Sequence, residues 1–75
     1  MKNELLKLYE QMVRGEKIKI LLSNGLEVYI DFTDAIDKFS DKIVIIRDSG
    51  VRTVLNPEYV VMVSLIIPRR WFYGW

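Results

Sequence analysis

The apolar residues Leu5, Leu8, Tyr9, Met12 and Val13 recur at spacings of three and four, with Lys2, Lys7, Glu10, Gln11 and Arg14 on the other side. That period predicts an amphipathic helix over 3–14, with Asn3 placed to cap its start and Gly15 to end it. From Lys17 the period changes to two. Ile18, Ile20 and Leu22 alternate with Lys17, Lys19 and Leu21; Leu26, Val28, Ile30 and Phe32 alternate with Glu27, Tyr29 and Asp31. Alternation puts one face on a core and the other in water, so strands are predicted over about 17–23 and 26–32. Between them, Ser23-Asn24-Gly25 holds an Asn-Gly pair, a strong hairpin signal read here as a turn in which both positions take positive φ.

Thr33 to Asp41 reads as a loop with room for one helical turn. Ile43-Val44-Ile45-Ile46 is β-branched, too short for a helix, and flanked by Lys42 and Arg47; it predicts a central strand within 42–48. Asp48-Ser49-Gly50 is a second tight turn, 51–55 a fourth strand, and Asn56-Pro57-Glu58 a break, because proline cannot donate to a ladder. The last strand, 60–67, has Ser64 as its one polar residue and stops at Pro68. Five strands left as an open sheet would expose two apolar edges. The expected fold is therefore mainly β: an N-terminal α-helix followed by a five-stranded, strongly bent SH3-like barrel, with the helix over one open end. Residues 69–75 are left as an aromatic C-terminal tail.

Composition narrows the function. The chain has 75 residues, 51% hydrophobic and 28% charged, which is far from the disordered class. Its net charge of +1 provides no long-range field for collecting nucleic acid. Basic and acidic groups are unevenly spread, giving +2 over 1–19, −3 over 20–48 and +2 over 49–75. With no Cys and no His, disulfides, zinc sites of the Cys/His type, a thiol nucleophile and a histidine base are excluded. No enzyme activity, cofactor or metal site is expected. A core this small offsets chain entropy narrowly, which favours burial against further copies of the chain. The first residues carry acidic groups and no continuous apolar run, so a cytoplasmic protein without integral membrane association is expected.

The order of helix, strand, Asn-Gly turn, bent strand, loop, apolar strand, short turn and final strand resembles the Sm-like fold, in particular its bacterial Hfq branch. Ile18-Lys19-Ile20-Leu21-Leu22-Ser23-Asn24-Gly25-Leu26-Glu27-Val28 is similar to the first motif of that family. Ile36-Asp37-Lys38-Phe39 resembles the aromatic-Asp-x-Phe segment before its third strand, and Val60 to Pro68 its closing strand. The resemblance spans most of 4–68 and implies a single Sm-like barrel domain over 1–68. It further implies a non-enzymatic protein that closes into a ring of about five to seven copies and binds single-stranded RNA. Where Hfq has a Tyr-Lys-His run for uridine-rich RNA, this chain has Val54-Leu55-Asn56-Pro57-Glu58-Tyr59, and the Ile-Arg-Gly signature of the other branch is also absent. The alternative expectation is an SH3-like structural or protein-interaction module that oligomerises without nucleic acid.

Within that frame, Phe39 sits where the family stacks a base on an aromatic ring, with Asn24 and Lys38 as polar neighbours; the competing reading is an aromatic packed over the barrel end. Asp31, Asp34, Asp37 and Asp41 form an acidic series without the spacing of a calcium loop, read as a solvated loop in which Asp34 caps a helical turn. The tail places Arg69 and Arg70 before Trp71, Phe72, Tyr73 and Trp75. Such a segment suits single-stranded RNA, a membrane interface, or docking on its own or a neighbouring barrel. Arg69, Arg70 and Trp71 join Asn24, Lys38 and Phe39 as candidate RNA contacts. The uncharged last strand needs a cover, and ring pairing of 60–67 with 51–55 of the next copy supplies one. Val51, Thr53, Leu55, Val61, Val63, Leu65 and Ile67 are the candidate interface residues.

Overall fold

Both short turns are built on one plan. The computed structural model describes residues 2–67, and in it Gly25 N–H donates to the Leu22 carbonyl at 2.9 Å while Leu22 N–H donates to that of Leu26 at 2.9 Å. At the second turn, Gly50 N–H donates to the Arg47 carbonyl at 2.9 Å and Arg47 N–H to that of Val51 at 2.8 Å. Each is a three-residue loop, a tight turn closed by a glycine in the left-handed region, Gly25 at φ +89° and Gly50 at φ +94°. Asn24 does not take positive φ, so the two-residue Asn-Gly turn expected from the sequence is replaced by this longer form. The Asn24 side chain instead accepts the Leu26 N–H at 3.0 Å, the local bond that suits asparagine to turns. Nothing lies within 4 Å of a Cβ built on Gly25. Gly25→Ala is therefore expected to cost about 1–2 kcal/mol from backbone conformation alone. An unchanged urea midpoint would contradict it.

The chain order is α1 (Lys2–Gln11), β1 (Lys17–Leu22), β2 (Glu27–Asp31), β3 (Ala35–Asp37), β4 (Ile43–Ile46), β5 (Arg52–Leu55), a 3₁₀ turn (Pro57–Tyr59) and β6 (Val60–Ile66). All pairings are antiparallel, in two three-stranded sheets ordered β2-β1-β6 and β3-β4-β5. The expected closed barrel does not form among the described residues: β5 and β6 are outer strands, each paired on one side. The loop expected at 33–41 contains β3 and no helical turn. The helix ends at Gln11 instead of running to 14, because Met12 N–H turns back to the Tyr9 carbonyl and Val13 N–H donates to Glu16 Oε1 at 2.9 Å. Val13 is consequently exposed, outside the apolar stripe it was expected to join.

The core consists of Leu5 and Met12 with Ile18, Ile20, Ile30, Ile36, Ile43, Ile45 and Val60. Alternation explains most of it: Ile18 faces Ile30 and Leu65 across its two neighbours, and Ile20 faces Val28 and Val63. β4 is buried at Ile43, Val44 and Ile45, as a central strand should be.

The two sheets join where β2 passes into β3. Asp34 N–H donates to the Asp31 carbonyl at 3.1 Å, and Asp31 N–H donates to Asp34 Oδ2 at 2.9 Å. Arg47 reaches this bend from the end of β4, donating to Asp34 Oδ2 at 2.8 Å and to the Tyr29 carbonyl. Tyr9 of the helix donates its hydroxyl to the Asp34 carbonyl at 2.8 Å. Asp34 is thus a buried junction between helix, bend and second hairpin, where the sequence had suggested a solvated cap.

Candidate nucleic-acid interface

Strand register gathers three loops at one end of the molecule. Asp37 lies opposite Val44, Ile43 opposite Leu55, and Leu22 opposite Val60. The 23–25 turn, the 38–42 loop and the 56–59 segment therefore share a pole, and Ser23 N–H donates to the Tyr59 carbonyl at 2.8 Å. The Asp34 junction lies at the opposite end of the strands.

Asn24, Lys38 and Phe39 all belong to this pole, and all are exposed. Phe39 is 98% exposed, so its ring packs on nothing among the described residues. That removes the reading of an aromatic lying over the barrel end. The loop that carries it is shaped from within: Phe39 N–H donates to Asp37 Oδ1 at 2.9 Å, and Lys42 N–H to Ser40 Oγ at 3.1 Å. A flat apolar ring next to Lys38 is suited to stacking under a base while the ammonium meets phosphate.

Beside it lies a cleft of roughly 510 Å³, walled by Leu22, Ser23, Asn24, Val54, Leu55, Asn56 and Tyr59. Its size is that of a small-ligand site. Among the described residues, Asn24 is the predicted RNA contact found in its wall, and Lys38 and Phe39 do not line it. Ser23, Asn56 and Tyr59 escaped the sequence reading, which treated 56–58 as a break. The available signal was Asn56-Pro57 followed by an aromatic, a capped turn that presents a ring. Asn56 Oδ1 accepts the Glu58 N–H at 3.1 Å, Pro57 opens the 3₁₀ turn, and Tyr59 N–H donates to the Asn56 carbonyl at 3.0 Å.

The candidate interface residues divide by exposure. Val51, Val61 and Ile67 are exposed; Thr53, Leu55, Val63 and Leu65 are half-buried, and the last three of these lean on the core. Val54, Met62 and Ile66 are further exposed apolar groups on the same two outer strands. Leu21 opposes Met62 and Leu22 opposes Val60, so Val61 is an extra residue, a bulge that leaves Met62–Ile66 as the regular part of the β6 edge. Arg69, Arg70 and Trp71 lie outside the described residues.

The acidic series is absorbed locally. Asp31, Asp34 and Asp37 accept backbone N–H groups, and no metal-holding group of His, Cys, Asp or Glu comes together among the described residues. None of the described helices is long and apolar enough to cross a membrane. No family model, no curated protein and no solved structure matches the chain.

Proposed function

We propose that this chain is the protomer of a non-enzymatic, ring-forming assembly of the Sm-like type, Hfq-like in branch, that holds single-stranded RNA at its loop pole. The observation that carries the reading is that β6 and β5 are outer strands of different sheets, β6 in β2-β1-β6 and β5 in β3-β4-β5, and that both carry exposed apolar residues. The edges differ from each other, so pairing β6 of one copy with β5 of the next is a heterologous contact, which closes into a ring when the rotation fits. Such pairing covers backbone groups and exposed valines that would otherwise recruit strands at random. The bend from β2 into β3 connects the two sheets, and we take this as compatible with the strand succession of a strongly bent Sm-like barrel. RNA binding is supported by the fully exposed Phe39 ring, with Lys38 and Asn24 at the same pole.

Size-exclusion chromatography with light scattering tests the assembly. A mass about five to seven times that of the 8.9 kDa chain is expected, and a monomer overturns it. Met62→Lys with Ile66→Lys adds cations to the outer edge, and is expected to reduce the mass toward that of one chain while far-UV circular dichroism stays unchanged. Short uridine- or adenine-rich RNA is expected to bind with salt-sensitive affinity, weakened about tenfold by Phe39→Ala. The absence of the Tyr-Lys-His run favours the second reading, an SH3-like interaction module; a ring that binds no RNA at low salt would establish it instead.

A further inference from the structure

We infer that the trough between α1 and β6 is the seat of this chain's own aromatic segment, Trp71-Phe72-Tyr73-Gly74-Trp75, which acts there as an intramolecular ligand. The trough measures roughly 420 Å³ and is walled by Glu4, Lys7, Leu8 and Gln11 of the helix and by Met62 and Val63 of the strand. Its position follows from the helix period. Leu5 and Met12 are buried in the core, and residues 4, 7, 8 and 11 fall on a neighbouring stripe, three and four apart, that flanks β6. Leu8 and Val63 lean on the core and form an apolar floor, while Glu4, Lys7, Gln11 and Met62 are exposed around it. An open apolar floor between a helix and an outer strand marks a place where something docks.

Reach selects the occupant first. β6 ends at Ile66, and Pro68, which has no N–H for a ladder and is preset for the second position of a turn, stands where the chain leaves the strand direction. From Ile67 back to Met62 is five residues of strand, about 17 Å, and the eight residues 68–75 extend to about 26 Å, enough to reverse and lay the aromatic block along the trough. Chemistry agrees. Four rings in five residues need cover, and the wall offers them the hydrocarbon of Leu8 and Val63 with the Met62 thioether beside it, a sulfur that favours ring contact. Charge agrees as well: Arg69 and Arg70 precede the rings, and the wall brings the Glu4 carboxylate for a guanidinium and the Lys7 ammonium for a ring face. Four of the six wall residues belong to the helix, so the seat works through side chains, whereas pairing at the β6 edge works through backbone groups. Docking and ring contact therefore make separate demands.

Trp71 and Trp75 are the chain's two tryptophans, so its indole fluorescence reports this segment alone. On the full chain, native emission is expected to lie to the blue of the urea-unfolded chain and to resist acrylamide. Leu8→Ser and Met62→Ser are each expected to lower the docked-to-undocked ratio about tenfold, the worth of one lost apolar side chain, seen as quenching that rises toward the urea value while far-UV circular dichroism stays unchanged. If Leu8→Ser unfolds the chain, the exposed Met62 carries the test alone. The chain has no cysteine, so Gln11→Cys with Gly74→Cys is expected to close an intrachain disulfide on mild oxidation, and Glu10→Cys with Gly74→Cys, from a helix residue that does not line the trough, is not. Tryptophans as open to acrylamide as in urea, or shielded ones that the serine variants do not release, overturn the seat. No disulfide from Gln11, one as ready from Glu10, or one between copies overturns it too. Tryptophans shielded only after hexauridylate or anionic phospholipid vesicles are added overturn it in favour of RNA or a membrane surface. Light scattering on the same samples reads the ring separately: a monomer with shielded tryptophans overturns the assembly and keeps the seat, and a ring with solvated tryptophans does the reverse.

Discussion

Replacing Arg47 with alanine is expected to lower stability by about 3 kcal/mol, although the residue lies at the rim of the second hairpin and is partly exposed. The reason is what it leaves behind. Asp34 has a side chain only 8% exposed, and its Oδ2 receives Arg47 at 2.8 Å along with the Asp31 N–H. Without the guanidinium, a carboxylate enclosed by the bend would lose its counter-charge and one of its donors. The Tyr29 carbonyl would lose its Arg47 donor as well. The effect should be larger than for another ion pair among the described residues, Lys19 with Glu27 at 3.3 Å, where neither side chain is buried and a truncation should cost under about 1 kcal/mol. Urea unfolding of Arg47→Ala, Asp34→Ala and the double variant checks this. The double variant should fall well short of the sum of the two single losses, because its two groups depend on each other. Additive losses would mean that the pair does not act as a unit.

The second large effect is expected at Ile20. It is fully buried at the middle of β1, the strand that pairs on both sides, and it faces Val28 and Val63. Ile20→Ala removes hydrocarbon from a place where two flanking strands hold the walls apart, so the space cannot close, and a loss of about 2–5 kcal/mol is expected. A chain of this length has a total stability of roughly 4–11 kcal/mol. The variant should therefore be partly unfolded at 37 °C by circular dichroism. Ile66→Ala on the outer edge provides the comparison, since that side chain is 39% exposed, and it should cost under about 1 kcal/mol in the isolated chain. Equal losses at the two positions would show that burial does not set the scale.

Where one residue's neighbours decide its role, the sequence was readable. Ile18, Ile20, Val28 and Ile30 declare their faces through alternation, and the four-residue run at Ile43 declares a central strand. What escaped depends on distant partners. Three residues, Ala35 to Asp37, are too few for a period to show, so β3 was read as loop. Asp34 looked like one of several solvated acids because Arg47, thirteen residues on, carries no local sign that it will turn back to meet it. Asn24 gave the turn but not its length, since Ser23 can end the strand or open the turn, and only the closing bonds of Leu22 decide which. The cleft was out of reach for the same reason: Ser23 and Asn24, Val54 to Asn56, and Tyr59 come from three stretches that only the β1–β6 and β4–β5 registers bring together. Phe39 was legible as an aromatic in a loop, but its complete exposure was not, because composition cannot say whether a ring has anything to pack on.

The two three-residue hairpins also have a meaning in time. Each closes a loop about as short as antiparallel strands allow, so β1–β2 and β4–β5 zip up from their turns at small entropic expense, whereas β6 must come back past four other strands to reach β1. The outermost strand is then the last to be laid down. Until it arrives, one side of β1 stands vacant, and a β6 from any nearby copy fits that vacancy as well as the chain's own.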